Sequence, residues 1–335
     1  MNILLSSVGR RSYLVRYFQQ ALGGRGLVIA TNSHTHATGM LAADRAAVVP
    51  PAGSEDFIEQ LLDVCRHYEV GLLCSLHDWE SPFIARACNR FRQLGTKVAV
   101  SDPSVLDTCL DKYAFWEFGM REGIRVPKTA LGLDSALQYI ADGTLDFPLV
   151  VKPRYGQGSI AVETVFTEDE LHSSFLLAKG KISRMESNGL LRSSLEDLIV
   201  QEYVQGQEYG LDVVNDLNGK FAACFVKRKL AMRSGETDAA ETVADPVLES
   251  FGRFIGERLI HTGMLDVDVI VGRNGPCLLE ANPRFGGHYP FSHEAGADIP
   301  AALIAWAQDR DPDPAWLRVR AGVQCLKDMR LVSRS

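Results

Sequence analysis

The stretch Leu265–Gly287, LDVDVIVGRNGPCLLEANPRFGG, constrains the fold more than any other part of the chain. Its apolar runs Val267–Val271 and Cys277–Ala281 flank a polar turn containing Asn274-Gly275, the pattern of a β-hairpin. With Gly275 in the left-handed conformation that closes the loop Arg273-Asn274-Gly275, the register sets Asp268 opposite Glu280. Side chains two apart on a strand share a face, so Asn282 lies beside Glu280. A hairpin with both carboxylates in water is one reading, since acidic side chains are mostly exposed. The other starts from repulsion. Asp268 and Glu280 interrupt apolar runs and face each other as like charges, which a cation relieves. Two carboxylates and an amide oxygen are hard donors suited to Mg²⁺, which completes its shell with water and substrate phosphates. Arg284 would add a forked cation against the same phosphates.

The chain has 335 residues and is 46% hydrophobic, enough for large cores and more than one domain. Its net charge of −7 includes no block of like charge, which argues against nucleic acid or an anionic membrane as partner. Cys65, Cys74, Cys88, Cys109, Cys224, Cys277 and Cys325 form an odd, scattered set without CxxC. That pattern opposes a disulfide framework or a zinc site and fits a reducing cytoplasm. At the start, Arg10 and Arg11 follow the apolar run, the reverse of a signal peptide, and the run is too short to cross a membrane. A soluble cytoplasmic protein is expected.

Strands at Asn2–Ser6, Leu27–Thr31, Ala46–Val49, Gly71–Ser75 and Lys97–Val100 alternate with helices at Ser12–Leu22, Glu55–His67 and Ser81–Leu94. This spacing predicts an α/β domain with a doubly wound parallel sheet over the first hundred residues. Ser6-Ser7-Val8-Gly9 is not the GxGxxG that a dinucleotide pyrophosphate needs, so NAD is disfavoured. Arg10 and Arg11 at a helix start either hold an anion or lie solvated; the sequence leaves both open. Ser104–Met120 is expected to be one helix carrying Asp111-Lys112-Tyr113. Beyond it, strands are predicted at Thr129–Leu133, Leu149–Lys152, Ala161–Val165, Leu198–Tyr203, Gly210–Asn215 and Phe221–Lys229, separated by turns rather than regular helices. With the hairpin they read as an α+β region of antiparallel sheets. Gly180–Ser194 is read as a helix end and loop, Pro246–His261 and Ile299–Ala307 as helices, and the last ten residues as an edge strand and tail.

Two further stretches carry chemistry. In FPLVVKPRYGQGSIAV, Phe147–Val162, a strand delivers Lys152 just before the glycine loop Gly156-Gln157-Gly158-Ser159. Glycines let backbone amides wrap phosphate oxygens, and the lysine adds a point charge. No GK[ST] or helix follows, so this is not a Walker loop, and a plain glycine hairpin is the alternative. In LIVQEYVQGQEYGLDVV, Leu198–Val214, Glu202-Tyr203-Val204 ends a strand and Glu208 precedes the next. Such a segment can offer backbone groups to an adenine edge and a carboxylate to ribose, or its glutamates can simply face solvent.

The order Asp111-Lys112-Tyr113, VVKPRYGQGS, VQEYVQGQEY, DVIV…LLEANPRFGG resembles the ATP-grasp superfamily at every step, most closely single-module relatives of the carbamoyl-phosphate synthase large subunit. The resemblance covers essentially the whole chain. It implies a pre-ATP-grasp domain over 1–105, a linker helix and lid subdomain over 106–200, and a C-terminal subdomain with the metal site over 201–335. It further implies that Lys112 and Lys152 contact ATP phosphates under a lid loop of Gly156, Gln157, Gly158 and Ser159. Glu202, Tyr203 and Val204 would sit at the adenine hinge, and Glu208 would hold the ribose. Asp268, Glu280 and Asn282 would bind two Mg²⁺ ions, which Mn²⁺ can replace; Asp268 departs from relatives that carry Glu or Gln there. Arg284 would steady the phosphoryl group, with Lys227 and Arg233, the latter in an RxGE-like segment, facing it as well.

The activity implied is ATP-dependent carboxylate–amine ligation through an acyl phosphate, releasing ADP, by a cytoplasmic homodimer acting on small molecules. Bicarbonate chemistry of the carbamoyl-phosphate type, or a nucleotide-binding module without catalysis, are the alternatives. For the acceptor, Tyr289, Ser292 and His293 and the loop His77-Asp78-Trp79-Glu80 are candidates.

Overall fold

The structure, a computed structural model, describes residues 1–156, 161–187, 198–329 and 331–332. Strands β1 (Asn2–Ser6), β2 (Val28–Asn32), β3 (Arg45–Val48), β4 (Val70–Ser75) and β5 (Lys97–Ala99) form a parallel sheet in the order 3-2-1-4-5. Both faces of the central strands are buried, as their unbroken apolar runs require. Helices α1 (Ser12–Leu22) and α2 (Thr38–Ala42) cover one face; α3 (Phe57–His67), α4 (Ser81–Arg86) and α5 (Cys88–Gln93) cover the other. The doubly wound arrangement read from the sequence is therefore present. The expected helix Ser81–Leu94 is broken at Ala87. The expected helix Ser104–Met120 is likewise two, α6 (Pro103–Leu110) and α7 (Lys112–Arg121). Between them Asp111 takes an extended backbone, and its carboxylate accepts the amides of Tyr113 and Ala114 as the cap of α7.

The next sheet is antiparallel: β6 (Thr129–Leu131), β7 (Leu149–Pro153), β8 (Glu163–Val165) and β9 (Leu198–Glu202), in the order 6-9-7-8. Two helices, α8 (Gly132–Ala141) and α9 (Glu168–Ser187), lie on it, where the sequence reading gives turns between the strands and, for α9, only a helix end after Gly180. Ala136 and Leu171 join Leu149, Val151 and Val200 in one core, so packing on the sheet stabilises helices whose own apolar stripe is short. Helix α9 reaches Ser187, and the rest of the expected loop to Ser194 falls outside the described residues.

The largest sheet contains β10 (Gln207–Asn215), β11 (Phe221–Arg233), β12 (Glu236–Val243), β13 (Met264–Gly272), β14 (Gly275–Asn282) and β15 (Gln324–Leu326), in the antiparallel order 14-13-10-11-12-15. Strand β12, ETDAAETV, escapes the sequence reading because its composition is polar and small. Period-2 alternation gives this sheet two unlike faces. Leu211, Val213, Val226, Leu265, Val267, Val269 and Leu278 bury one face under α10 (Pro246–Leu259) and α7. The other face carries Asp212, Lys227, Lys229, Asp266, Asp268, Glu280 and Asn282, aligned by the pairings of β10, β11, β13 and β14. Over it run α11 (Tyr289–Glu294) and α12 (Ile299–Ala307), and Ile299 and Leu303 of α12 complete the core of the first domain against Leu14, Val15 and Phe18.

The β13–β14 hairpin reaches the expected opposition by another route. Gly272 pairs with Gly275, so Arg273-Asn274 alone form the loop, with Gly275 at φ +84°. The register then slips between Asp268 and Val269, and beyond the bulge Asp268 faces Glu280 and Asp266 faces Asn282. Among the described residues no helix is long and apolar enough to cross a membrane.

Candidate active site

Glu280 and Asn282 project into a cleft of about 480 Å³, partly open to solvent, whose walls include Asp78, Trp79, Phe115, Lys112, Tyr155 and Gly156. Asp268 stands beside them with Oδ1 2.7 Å from Lys229 Nζ. Its carboxyl is raised above the usual range: burial is the main cause, Lys229 opposes it, and Asp266 and Glu280 add to it. Crowded carboxylates with an amide oxygen beside them are a donor set that fits a hard divalent cation. Lys152, at the end of β7, feels the same groups: its pKa is lowered to about 8 by burial, with Glu280 and Asp268 acting against that fall and Lys112 with it. No described carboxylate lies within 4.0 Å of its ammonium. Lys112, at the first turn of α7, donates from Nζ to the Gly156 carbonyl at 2.6 Å.

Of the remaining expected nucleotide contacts, Gln157, Gly158 and Ser159 lie outside the described residues. Glu202 ends β9, where its amide donates to the Lys128 carbonyl at 2.9 Å and its carboxylate accepts the Lys128 amide at 3.3 Å. Tyr203 is exposed and Val204 buried beside it. Glu208 lies on β10 with Oε2 3.8 Å from Lys229 Nζ, so Lys229 stands between it and Asp268.

Lys227 does not reach the cleft. Its side chain is fully buried, with Nζ 2.5 Å from Asp212 Oδ2 and 2.9 Å from Ser292 Oγ. It shares a sheet face with Lys229, but at its level the face is covered by α11, whereas Lys229 lies beside Asp268. Lys229 is thus the cation that β11 supplies there, and sequence reasoning missed it. Arg233 is also not brought in: it is exposed near the end of β11 and pairs with Asp238 at 2.8 Å.

Arg284 is buried in a carboxylate clamp. Nη1 donates to Asp266 Oδ2 at 2.5 Å, and Nε and Nη2 donate to Asp78 Oδ2 at 3.3 and 3.2 Å. Burial opposes its charge, and Asp78 and Asp266 outweigh that, holding the guanidinium above its usual range. His288 lies between two aspartates, with Nδ1 3.0 Å from Asp212 Oδ1 and Nε2 against Asp266 Oδ1. Burial again opposes the charge, but Asp266 and Asp212 raise the imidazole above its ordinary value. Asp212, Asp266 and His288 offer donor atoms within 4.8 Å of one another, yet Lys227 and Arg284 already neutralise the two carboxylates. The backbone approaches closely at two glycines: a Cβ at Gly210 would lie 2.7 Å from the His288 ring, and one at Gly286 2.2 Å from Asp266. Asp212 and Asp266 were findable, because each is a carboxylate inside an apolar run, the signal that marks Asp268.

The acceptor candidates near α11 make internal contacts. Tyr289 is buried, accepting the Ile299 amide and donating to the Ala297 carbonyl, both at 3.1 Å. Ser292 donates to Asp212 at 2.6 Å, and His293 stacks on Tyr17 with centroids 3.5 Å apart. In the 77–80 loop, Glu80 is buried and accepts from Ser6, Ser7 and Ser75 at 2.9, 2.6 and 2.7 Å, fixing the loop that carries Asp78.

A parallel α/β domain is followed by two antiparallel subdomains, with Lys112, Glu280 and Asn282 lining one cleft. Residues 194–328 match the family described as ATP-grasp in the biosynthetic pathway with Ter operon, and residues 3–99 match the PylC-like N-terminal domain. The carbamoyl phosphate synthase large chain of Clavibacter michiganensis subsp. michiganensis (strain NCPPB 382) is 26% identical over 224 residues, 63% of this chain and 19% of that protein. The chain thus spans about a fifth of the length of the curated relatives it matches. The biotin carboxylase domain dimer of Hydrogenobacter thermophilus 2-oxoglutarate carboxylase, solved with MgADP, ADP and bicarbonate, superposes with TM-score 0.73 at 15% identity, covering 96% of this chain and 73% of that one. The L-amino acid ligase from Bacillus licheniformis superposes with TM-score 0.67 at 14% identity, covering 90% and 74%. The likeness to the ATP-grasp family is thus one of residues 194–328 in sequence, and of nearly the whole chain in fold.

Proposed function

We propose that the chain is an ATP- and Mg²⁺-dependent carbon–nitrogen ligase that joins a small carboxylate to an amine through an acyl phosphate, releasing ADP and phosphate. The observation that carries this reading is Lys152, a buried ammonium with no described carboxylate within 4.0 Å yet within the electrostatic reach of Glu280, Asp268 and Lys112, beside a cleft that Lys112, Glu280 and Asn282 line. Cations and hard oxygens together suit a polyphosphate with its metal.

In this reading Lys112 and Lys152 hold the phosphates, and the stretch Gly156, Gln157, Gly158 and Ser159 covers them. Glu202, Tyr203 and Val204 border the adenine, and Glu208 takes the ribose. Glu280, Asn282 and the Asp268 carboxylate hold the metal, two Mg²⁺ ions or Mn²⁺ in their place. When bound, the metal offsets charge on the oxygens of the transferred group. Arg284 presents its buried charge to the phosphoryl group, oriented by Asp78 and Asp266. Lys152 offsets phosphate charge, and the cleft shields the acyl phosphate from water. This reading leaves out Lys227, which pairs with Asp212, and Arg233, which pairs with Asp238. A cytoplasmic homodimer completes the proposal. A second reading, phosphorylation of bicarbonate, draws support from the carbamoyl phosphate synthase relative and from the neighbour solved with bicarbonate.

The test is ADP release from Mg·ATP across a panel of carboxylic acids, with and without amines, and with bicarbonate. ADP that requires one acid and one amine, and falls by about 100-fold or more in Glu280→Gln, supports the ligase. Turnover on bicarbonate alone establishes the second reading. ATP binding without turnover on any acid or on bicarbonate counts against both.

A further inference from the structure

The carboxylate of Asp111 joins two elements, one carrying Lys112 of the cleft and the other Lys152. Oδ1 accepts the amides of Tyr113 and Ala114 at 2.9 and 3.2 Å and Arg154 Nε at 2.7 Å. Oδ2 accepts Arg154 Nη2 at 2.5 Å and the Tyr155 hydroxyl at 3.0 Å. The Lys112 amide donates to the Arg154 carbonyl at 3.0 Å, so main chain is tied to main chain as well. Asp111 is 7% exposed, and the forked geometry leaves little freedom in the joint. Burial works against its charge, yet Arg154, the Ala114 amide and Tyr155 together hold the carboxyl below its usual range.

Lys112 follows Asp111 directly, and Lys152 lies two residues before Arg154 at the end of β7. The two ammonium groups repel, as the effect of Lys112 on Lys152 records. Left to themselves, a helix start and a strand end bearing like charges would drift apart. The Asp111–Arg154 fork opposes that drift before any phosphate arrives, which is preorganisation in its ordinary sense.

We propose that Asp111, through Arg154, is a positioning residue that sets the spacing of Lys112 and Lys152 for the polyphosphate of a nucleotide. The proposal rests on the nucleotide-binding reading above. It predicts a loss confined to the phosphate part of the ligand, which a general loosening of the fold would not produce.

The experiment is calorimetric titration of the full chain with ADP and, separately, with adenosine, both at fixed Mg²⁺. Asp111→Asn keeps an oxygen that caps α7 and removes the charge facing Arg154. Asp111→Asn is expected to bind ADP about tenfold more weakly or worse, with adenosine affinity within about twofold of the wild type. Arg154→Gln should show the same selective loss, and the double variant should be no worse than either single one. Unchanged ADP affinity in both variants overturns the proposal, and so does an equal weakening of ADP and adenosine. A wild-type chain that binds no ADP fails the nucleotide reading itself, whereas unchanged variants of an ADP-binding wild type sink only the role of Asp111.

Discussion

Lys152 carries its charge where the surroundings resist it. Burial, with Lys112 behind it and Glu280 and Asp268 against it, brings its pKa from 10.5 to about 8. A fall of that size corresponds to roughly 3 kcal/mol set against the charged form. The folded value lies below the unfolded one, so between pH 8 and 10.5 the unfolded chain binds more protons. The charged lysine therefore costs stability at neutral pH, and this cost is relieved as pH rises through that window. Phosphate binding has the opposite sign, because it is the charged form that holds a polyphosphate. Affinity for Mg·ADP should fall above pH 8, approaching tenfold per unit while this single proton controls it. The terminal phosphate of the nucleotide, with a pKa near 6, has finished titrating below that range. Lys152→Met removes both effects: ADP affinity at pH 7 drops about tenfold or more, its fall above pH 8 flattens, and thermal stability at pH 7 holds or rises. The assay is calorimetry at pH 7, 8, 9 and 9.5 at constant ionic strength and Mg²⁺, with melting curves under the same conditions. Equal pH slopes in the wild type and Lys152→Met would refute the reasoning.

Lys227→Met should destabilise by about 3–5 kcal/mol by leaving Asp212 buried without its lysine, while Asp212→Asn in the same chain recovers part of the loss, both read from melting temperatures. Gly210→Ala should cost about 1–3 kcal/mol and disturb His288, because the new methyl would lie 2.7 Å from that ring; denaturant midpoints check it. Asp78→Asn should weaken the hold on Arg284 and lower turnover with whichever acid proves active by about tenfold or more, with ADP affinity within about twofold; steady-state kinetics beside ADP titration separates the two. The buried thiols Cys65, Cys74 and Cys109, all pushed upward by burial, should resist a thiol reagent until the chain is unfolded, while the less buried Cys325 reacts first.

The local chemistry of the chain was legible without coordinates. Unbroken apolar runs alternating with amphipathic stretches specify a parallel sheet, since only strands covered on both faces read that way. Carboxylates interrupting apolar runs mark Asp268 and Glu280, because period-2 geometry sends them to one face. Even the pairing of Asp268 with Glu280 was foreseeable, although a shorter loop and a bulge produced it in place of the longer loop expected. Helix α8 was not legible, and of α9 only its end was, because their stability comes from the sheet beneath them rather than from their own pattern. What only the tertiary structure decided is which charge meets which. Lys227 and Lys229 are two residues apart on one strand and alike in sequence, yet α11 covers the first and leaves the second beside Asp268. Arg284 meets Asp78 across 206 residues, and Arg154 meets Asp111 across 43. Long-range pairings of this kind depend on where separate elements dock, and no local period in the chain encodes that.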